Sequence, residues 1–436
     1  MKATFAHLAD VHLGNTQYGL SNRFDDFGRA WDDAISQIIA RKVDFVILAG
    51  DLFEKRSVEP LALIQAQDGL RRLRQAGIPV AAVEGNHDTA LYRDGFSWME
   101  YLDRQGELML LDPCQAGEAG YHYRPHQKGR GGGYVDFGGV RVVGQPYLGA
   151  SAARAIEEMT ARLRLDGMGE AQYVVYVAHA GLEGIVARAP GCLSEAELAP
   201  LRPHVDYVAL GHIHQHFERD GWLFNPGSLE TCRSDEAEAP SGFFIVEVDT
   251  DEPTRHRATL LPNWRRPFAR LSFGLDGLND MASVVAALGP FLQGQAAPFA
   301  AGDAPVVDLK LTGRLGFDPA TLDLEAVRGL VRTAFEALHA EVRDLAQRPG
   351  TAVVEGDDES RAQIEHRVLT EAFSGDTRYA ARSEEWARLA GDLKQMALSG
   401  GSPAALVDAL TDGAVALRAL PFAVQPMPKE TTNAPA

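Results

Sequence analysis

Nine side chains in five short stretches have the types and positions for metal-assisted chemistry. Asp10 and His12 follow the apolar run from Thr4 to Ala9, and Asp51 follows Val43–Ala49 and Gly50. Asn86, His87 and Asp88 come after Ile78–Val83, His179 directly after Tyr173–Ala178, and His212 and His214 after Val205–Leu210. Each run suits a buried strand, and the carboxyl ends of parallel strands are where open α/β sheets build their sites. Asp10 and His12 stand two apart, so strand alternation points them the same way. Every member offers oxygen or imidazole nitrogen, a mixture that suits hard to borderline divalent ions, Mn²⁺ foremost, with Fe²⁺, Zn²⁺ or Mg²⁺ as other candidates. One ion needs too few ligands to use them all. Two ions about 3.5–4 Å apart, sharing a bridging carboxylate, would use them, and such pairs drive in-line displacement at phosphorus. Taken singly, each piece reads equally as a turn or a surface histidine. Five coincidences at strand ends do not.

Helices must separate these strands. Phe24, Phe27, Trp31, Ile35 and Ile38 form one stripe at spacings of three and four, and Leu61, Ile64, Leu70 and Leu73 a second. Strand, helix, strand, helix, strand with right-handed crossovers gives an open sheet whose exits share a rim. Residues 108–148 read as antiparallel strands with a mobile loop at Gly129–Arg130–Gly131–Gly132–Gly133, which lacks the spacing and lysine of a nucleotide-cradling loop. A helix near 151–164 precedes the fourth run. A first boundary is expected near Pro262.

Composition bounds the rest. A chain of 436 residues implies two or three domains. No run of about 18 apolar residues suggests a membrane span, and the first ten residues lack a signal peptide's apolar segment, so cytoplasmic is the default expectation. Cys114, Cys192 and Cys232 are widely spaced, fit a reducing compartment and are expected to take no part in catalysis. A formal charge of −18 argues against coating nucleic acid by net field, so an anionic substrate needs bound metal or a local basic patch.

Asp10–Val11–His12, Gly50–Asp51, Gly85–Asn86–His87–Asp88, His179 and Gly211–His212–Ile213–His214 together resemble the calcineurin-like metallophosphoesterases, over residues 4 to about 250. The resemblance implies an α/β two-sheet sandwich flanked by helices. It implies that Asp10, His12, Asp51 and His214 hold a first ion, that Asp51 bridges, and that Asn86, His179 and His212 complete a second. His87 then sits beside the phosphate, to protonate the leaving oxygen or stabilise developing charge, and Asp88 is expected to orient His87. Two cations generate hydroxide near neutral pH and neutralise charge on the phosphoryl oxygens.

A narrower likeness joins His7–Gly14, Gln17–Leu20, Gly50–Phe53 and Asn225–Glu230 to DNA double-strand-break repair exonucleases of SbcD and YhaO type. That branch implies Mn²⁺, a small α+β capping domain, a coiled-coil ATPase partner of the structural-maintenance-of-chromosomes kind and a two-fold dimer. The expected domains are 1–262 (nuclease), 263–348 (cap), 349–359 (acidic linker), 360–420 (helical, partner-docking) and 421–436 (disordered). In the cap, strands are expected at Trp264–Phe273, Val306–Leu311 and Glu341–Ala346, with helices at 279–292 and Leu322–Leu338. Arg265, Arg266, Arg270 and Arg314 are candidates to meet DNA phosphates, and Tyr18 and Trp264 to stack on bases, although core packing competes for both aromatics. Glu54 departs from the branch, where a histidine is common three residues after the bridging aspartate; a carboxylate there repels phosphate unless protonated, metal-bound or turned away. The rival readings are a phosphatase or cyclic-nucleotide phosphodiesterase on the same centre, and a non-catalytic scaffold.

Overall fold

The run Phe45–Ala49 is apolar on both faces, and in the computed structural model it occupies the middle of a sheet covered on both sides. The structure describes residues 1–91, 95–115, 121–165, 171–185, 191–348, 361–374, 379–400 and 402–416. They divide into two compact units, Met1–Gly313 with Ala320–Ala346, and Arg314–Pro319 with Gln347–Ala436.

In chain order the first unit runs β1 (Lys2–Leu8), α1 (Ser21–Arg41), β2 (Phe45–Ala49), α2 (Pro60–Gln75), β3 (Val80–Val83), α3 (Trp98–Gln105) and β4 (Met109–Leu110). Two short strands, β5 (Cys114–Gln115) and β6 (Tyr121–His122), pair with each other. There follow β7 (Tyr134–Phe137), β8 (Val140–Gln145), α4 (Ala152–Leu165), β9 (Tyr173–Ala178), a small parallel pair β10 (Gly181–Leu182) and β11 (Cys192–Leu193), and α5 (Glu195–Leu198). The sandwich closes with β12 (Tyr207–Leu210), β13 (Phe217–Arg219), β14 (Leu223–Asn225), β15 (Phe243–Asp249) and β16 (His256–Leu261). One sheet has the order β16-β15-β1-β2-β3-β4 and the other β13-β14-β12-β9-β8-β7.

Strand alternation builds the layers. Phe45, Ile47 and Ala49 face the other sheet with Phe5, Val175, Tyr207 and Phe224, whereas Val46 and Leu48 face α1 and α2 with Trp31, Ile35 and Leu70. Between the sheets Phe5 stacks on Phe45 at 5.0 Å and Tyr207 on Phe224 at 4.3 Å between ring centroids. β1, β2 and β3 are parallel neighbours, as are β9 and β12, so all five expected strand exits emerge from two parallel sets.

The sequence reading needs correction in three places. Leu61 and Ile64 are exposed, because α2 turns Ala62, Ala66, Leu70 and Leu73 inward instead, and Gly69 lets the Trp31 ring approach to where a Cβ would stand. Between 108 and 148, among the described residues, the antiparallel strand pairs are β5 with β6 and β7 with β8, whereas β4 and β8 extend the parallel sets, with Leu110, Val140 and Val142 buried. The glycine-rich turn is tied down, with Gln127 N–H donating to Gly131 O, Gly133 N–H to Arg124 O and Gly129 N–H to Asp103 Oδ2, at 2.9, 2.9 and 3.0 Å.

After β16 come β17 (Phe268–Gly274), α6 (Met281–Ala296), β18 (Val306–Thr312), α7 (Leu324–Phe335) and β19 (His339–Asp344), the expected alternation with ends shifted by a few residues. The three strands are parallel in the order β17-β18-β19. A buried ion network fastens this segment to α1. Arg23, fully buried, donates to Asp26 at 2.6 Å and Glu230 at 3.0 Å; Arg266 grips Asp26 with two nitrogens, and its backbone N–H donates to Glu230 at 2.9 Å.

The second unit holds α8 (Arg361–Ser374), α9 (Ser383–Leu398) and α10 (Pro403–Ala416). Phe373, Tyr379 and Trp386 cluster, their centroids 5.1–6.1 Å apart. The expected linker 349–359 and tail 421–436 lie outside the described residues. No helix among the described residues is long and apolar enough to cross a membrane.

Removing one partner of a buried ion network strands the others. Arg23→Met is expected to cost ~3–5 kcal/mol in urea unfolding. Arg154→Ala, in the exposed pair with Glu158, should cost under about 1 kcal/mol.

Candidate functional site

Strand ends that must turn sharply and still present a polar side chain adopt backbone that L residues avoid. Nine non-glycine residues among those described have left-handed φ, and four are Asp10 (52°), His12 (52°), Asp51 (53°) and His212 (79°). The turns hold by cross-bracing: Asp10 N–H donates to Gly50 O at 3.1 Å, and Val11 and His12 N–H to Asp51 O at 2.9 and 3.0 Å. Space is short. A Cβ on Gly85 would stand 2.0 Å from Asp51 Oδ1, and one on Gly50 2.4 Å from His179 Nδ1.

These turns bring Asp10, His12, Asp51, Asn86, His87, His179, His212 and His214 to one place. His12 Nε2 and His214 Nε2 are 3.1 Å apart, with Asp10 Oδ1 3.9 Å from the latter. His179 Nε2 lies 3.2 Å from both Asp51 Oδ2 and Asn86 Oδ1, and His212 Nδ1 3.0 Å from the same Asn86 oxygen. Asp51 Oδ2 is also 3.8 Å from His12 Nε2, so this carboxylate stands between the two groups. Burial pushes Asp51 up, but the charge and hydrogen bond of His179, with His12 and His87 beyond, hold it well below the usual carboxylate range.

Outer partners decide which nitrogen faces inward. His179 Nδ1 donates to Ala49 O at 2.8 Å and His214 Nδ1 to the Glu236 carboxylate at 3.0 Å, while Glu54 Oε2 lies 3.0 Å from His12 Nδ1. With the proton on Nδ1, each Nε2 lone pair points into the site. Three imidazole lone pairs converging with two buried carboxylates and an amide oxygen form a donor set that fits divalent cations.

The Glu54 carboxylate is turned toward His12 and the Asn15 amide, 3.1 Å from the latter, and one of its oxygens lies within 4.8 Å of a His87 ring nitrogen. The orienting role expected of Asp88 looks different in detail. Its carboxylate accepts the backbone N–H groups of Leu52, Phe53 and Gly85 at 3.2, 3.1 and 3.0 Å, locking two exits together, and it is the Glu54 carbonyl, 2.6 Å from Nδ1, that holds the His87 ring. His87 N–H donates to Asp51 Oδ1 at 2.9 Å, and the ring packs edge-on against His12.

Three neighbours escaped the sequence reading. Glu236 and Cys232 come from the loop after Asn225–Glu230, and Tyr147 follows β8, its ring 5.6 Å from that of His212. Only spatial closeness finds them, apart from the Asn225–Glu230 motif that marks the loop. The expectation that no cysteine joins the site is thus corrected for Cys232. Of the arginines, Arg265 donates to Thr231 Oγ1 at 2.6 Å and to Ser241, Arg266 is in the α1 network, and Arg270 meets Glu238 at 3.2 Å. Arg314 belongs to the second unit. Tyr18 stacks on His339 at 4.2 Å, and Trp264 packs against Arg29 and the α1 core.

Residues 3–216 match the calcineurin-like phosphoesterase family. The chain carries a calcineurin-like phosphoesterase domain. It is 30% identical over 260 residues to a DNA double-strand break repair protein Mre11 of Aeropyrum pernix, covering 57% of this chain and 58% of that protein. Proteins of the same name are similar from Archaeoglobus fulgidus (32% over 230 residues; 52% and 50%) and Haloferax volcanii (31% over 274 residues; 62% and 54%). The chain thus spans between 50% and 58% of these three relatives' lengths. Among solved structures, the calcineurin-like phosphoesterase YfkN from Bacillus subtilis is similar with a TM-score of 0.40 and 12% identity, over 59% of this chain and 90% of that one.

Glu84, beside Gly85 in the calcineurin-like site, is pushed up to about 8 by burial, against a bond from Ser97 and with Asp88, Asp112 and Glu100 adding to the rise. The unfolded glutamate ionises near 4.5, so between there and about 8 the unfolded chain binds fewer protons and stability falls as pH rises. Glu84→Gln should therefore leave the melting temperature nearly unchanged at pH 4 and raise it by several degrees at pH 8. Equal shifts at both pH values would refute this.

Proposed function

We propose that this protein is a two-metal, Mn²⁺-dependent DNA phosphodiesterase, an exonuclease acting in double-strand-break repair in the cytoplasm. The observation that carries the reading is the meeting of seven oxygen and imidazole donors from five strand exits, with an eighth side chain, His87, placed beside them. Asp10, His12, Asp51 and His214 would hold one ion and Asp51, Asn86, His179 and His212 the other, with Asp51 shared. When bound, such a pair supplies charge neutralisation toward phosphoryl oxygens and a nucleophile at neutral pH.

The protein's own groups do the rest. His87 receives its backbone anchor from Asp51 and its ring orientation from the Glu54 carbonyl, which leaves Nε2 to deliver a proton to the departing oxygen. Arg56 donates to Asn86 O at 3.1–3.2 Å and steadies that turn. Asp88 fixes the spacing between the Asp51 and Asn86 loops through three backbone N–H groups.

DNA as substrate is supported by the names of the similar archaeal proteins. Among the four arginines, Arg265 and Arg266 are occupied by internal partners, whereas the Arg270 partner, Glu238, is 72% exposed and can yield to phosphate. The helices of 360–420 are assigned to docking on a coiled-coil ATPase partner, and a homodimer belongs to the same reading.

Purified protein with Mn²⁺ should degrade linear duplex or single-stranded DNA, and EDTA should stop it. His87→Ala should lower turnover ~10²–10⁴-fold, with Mn²⁺ stoichiometry unchanged. Cleavage of bis-p-nitrophenyl phosphate with DNA left intact would move the assignment to another phosphoesterase, and absence of bound metal would favour a scaffold. Glu54→Ala should weaken Mn²⁺ binding ~10–100-fold in calorimetry through loss of the His12 partner.

A further inference from the structure

Cys232 sits where the metal centre opens toward the loop after β14. Its Sγ and one ring nitrogen each of His12 and His214 all lie within 4.8 Å of one another. The loop is firmly placed. Gln17 Nε2 donates to Cys232 O at 2.8 Å, and the N–H groups of Cys232 and Arg233 donate to Glu236 Oε2 at 3.0 Å each. The other oxygen of that carboxylate receives His214 Nδ1–H at 3.0 Å. One carboxylate thus fixes both the imidazole and the backbone carrying the thiol. The sulfur makes a weak bond, 3.6 Å to Glu230 O, and is also in hydrogen-bond contact with the His214 imidazole, which holds it beside the metal-facing histidines.

We propose that Cys232 is a ligand at the first metal position, giving a centre of oxygen and imidazole donors one thiolate and shifting its preference toward thiophilic ions, Zn²⁺ before Mn²⁺. The inference rests on the two-metal reading above and changes the ion preferred at its first position from Mn²⁺ to Zn²⁺. Carboxylate and imidazole donors accept Mn²⁺ readily, whereas thiolate selects Zn²⁺ and its neighbours. Bonds of about 2.3 Å to sulfur and 2.0 Å to nitrogen would let one cation reach donor atoms up to roughly 4 Å apart, compatible with the 4.8 Å within which this trio lies. As the cation binds, the S–metal bond replaces the S–H bond and the proton passes to solvent.

Co²⁺ titration of the full chain tests this directly. The wild type should bind Co²⁺ with visible d–d absorption and a thiolate-to-cobalt charge-transfer band in the near ultraviolet. Cys232→Ser should keep the d–d absorption, lose the charge-transfer band, and lower Zn²⁺ affinity at least ~10-fold, the least that loss of even an outer partner costs, while Mn²⁺ affinity changes little. Co²⁺ bound without a charge-transfer band, or with a band that survives Cys232→Ser, would overturn the role of Cys232 and leave the metal centre standing. No Co²⁺ binding would overturn both.

Discussion

Buried negative charge is the constraint around which this structure is arranged. Asp10, Asp51 and Asp88 are 0–3% exposed, and their carboxylates lie on one rim of the sandwich. Carboxylates taken out of water demand hydrogen bonds or cations in return. Asp88 is answered entirely by backbone N–H groups and so acts as a strut. Asp10 receives the His212 N–H on both oxygens, at 3.0 Å each, and Asp51 receives only one backbone N–H with imidazoles around it. The two that face the histidines accept the fewest backbone N–H groups, an imbalance that suits them to cations.

Everything nearby serves to keep those carboxylates from relaxing away. Parallel strands end together, so their loops compete for the same small volume. Left-handed backbone at Asp10, His12, Asp51 and His212 turns the chain before it reaches solvent. The strain is tolerated because each turn hydrogen-bonds to the next, Asp10 to Gly50 and His12 to Asp51, so relaxing one would break another. Rigidity of this kind suits the two-cation centre proposed above.

Much of this was legible in the residues alone, and for identifiable reasons. Strands such as Val43–Ala49 and Tyr173–Ala178 are apolar on both faces and end in a polar residue, a pattern that survives any detail of packing. The ligand-type side chains are strong signals because they repeat at five such ends. Less legible were features set by distance in space. Glu54 could be flagged as an odd carboxylate, but that it turns to His12 depends on a ring from another loop. Asp88 follows His87 in sequence, which suggests partnership, yet two of its three donors are backbone groups some 35 positions away, invisible to any spacing rule. Leu61 and Ile64 fit a helical stripe as well as Ala62 and Ala66 do, and only the Trp31 ring decides which side is buried. Arg23 and Arg266 carry charges that look like surface until their partners Asp26 and Glu230 arrive from other segments.

The Arg23, Asp26, Glu230 and Arg266 network bears on how such a chain can evolve. The three-stranded segment after β16 has its own sheet and two helices, and it has the look of a module that could be lost, gained or exchanged. Its first strand is nevertheless preceded by a guanidinium that neutralises Asp26 on α1, while Glu230 belongs to the loop that leads to Cys232 and Glu236. A lineage that replaced the segment would leave buried Asp26 and Glu230 to share the single guanidinium of Arg23 and loosen the loop beside the histidines. Inheritance of the two parts is thereby tied: variation in one is filtered by charges in the other, and the segment travels with its own sandwich or not at all.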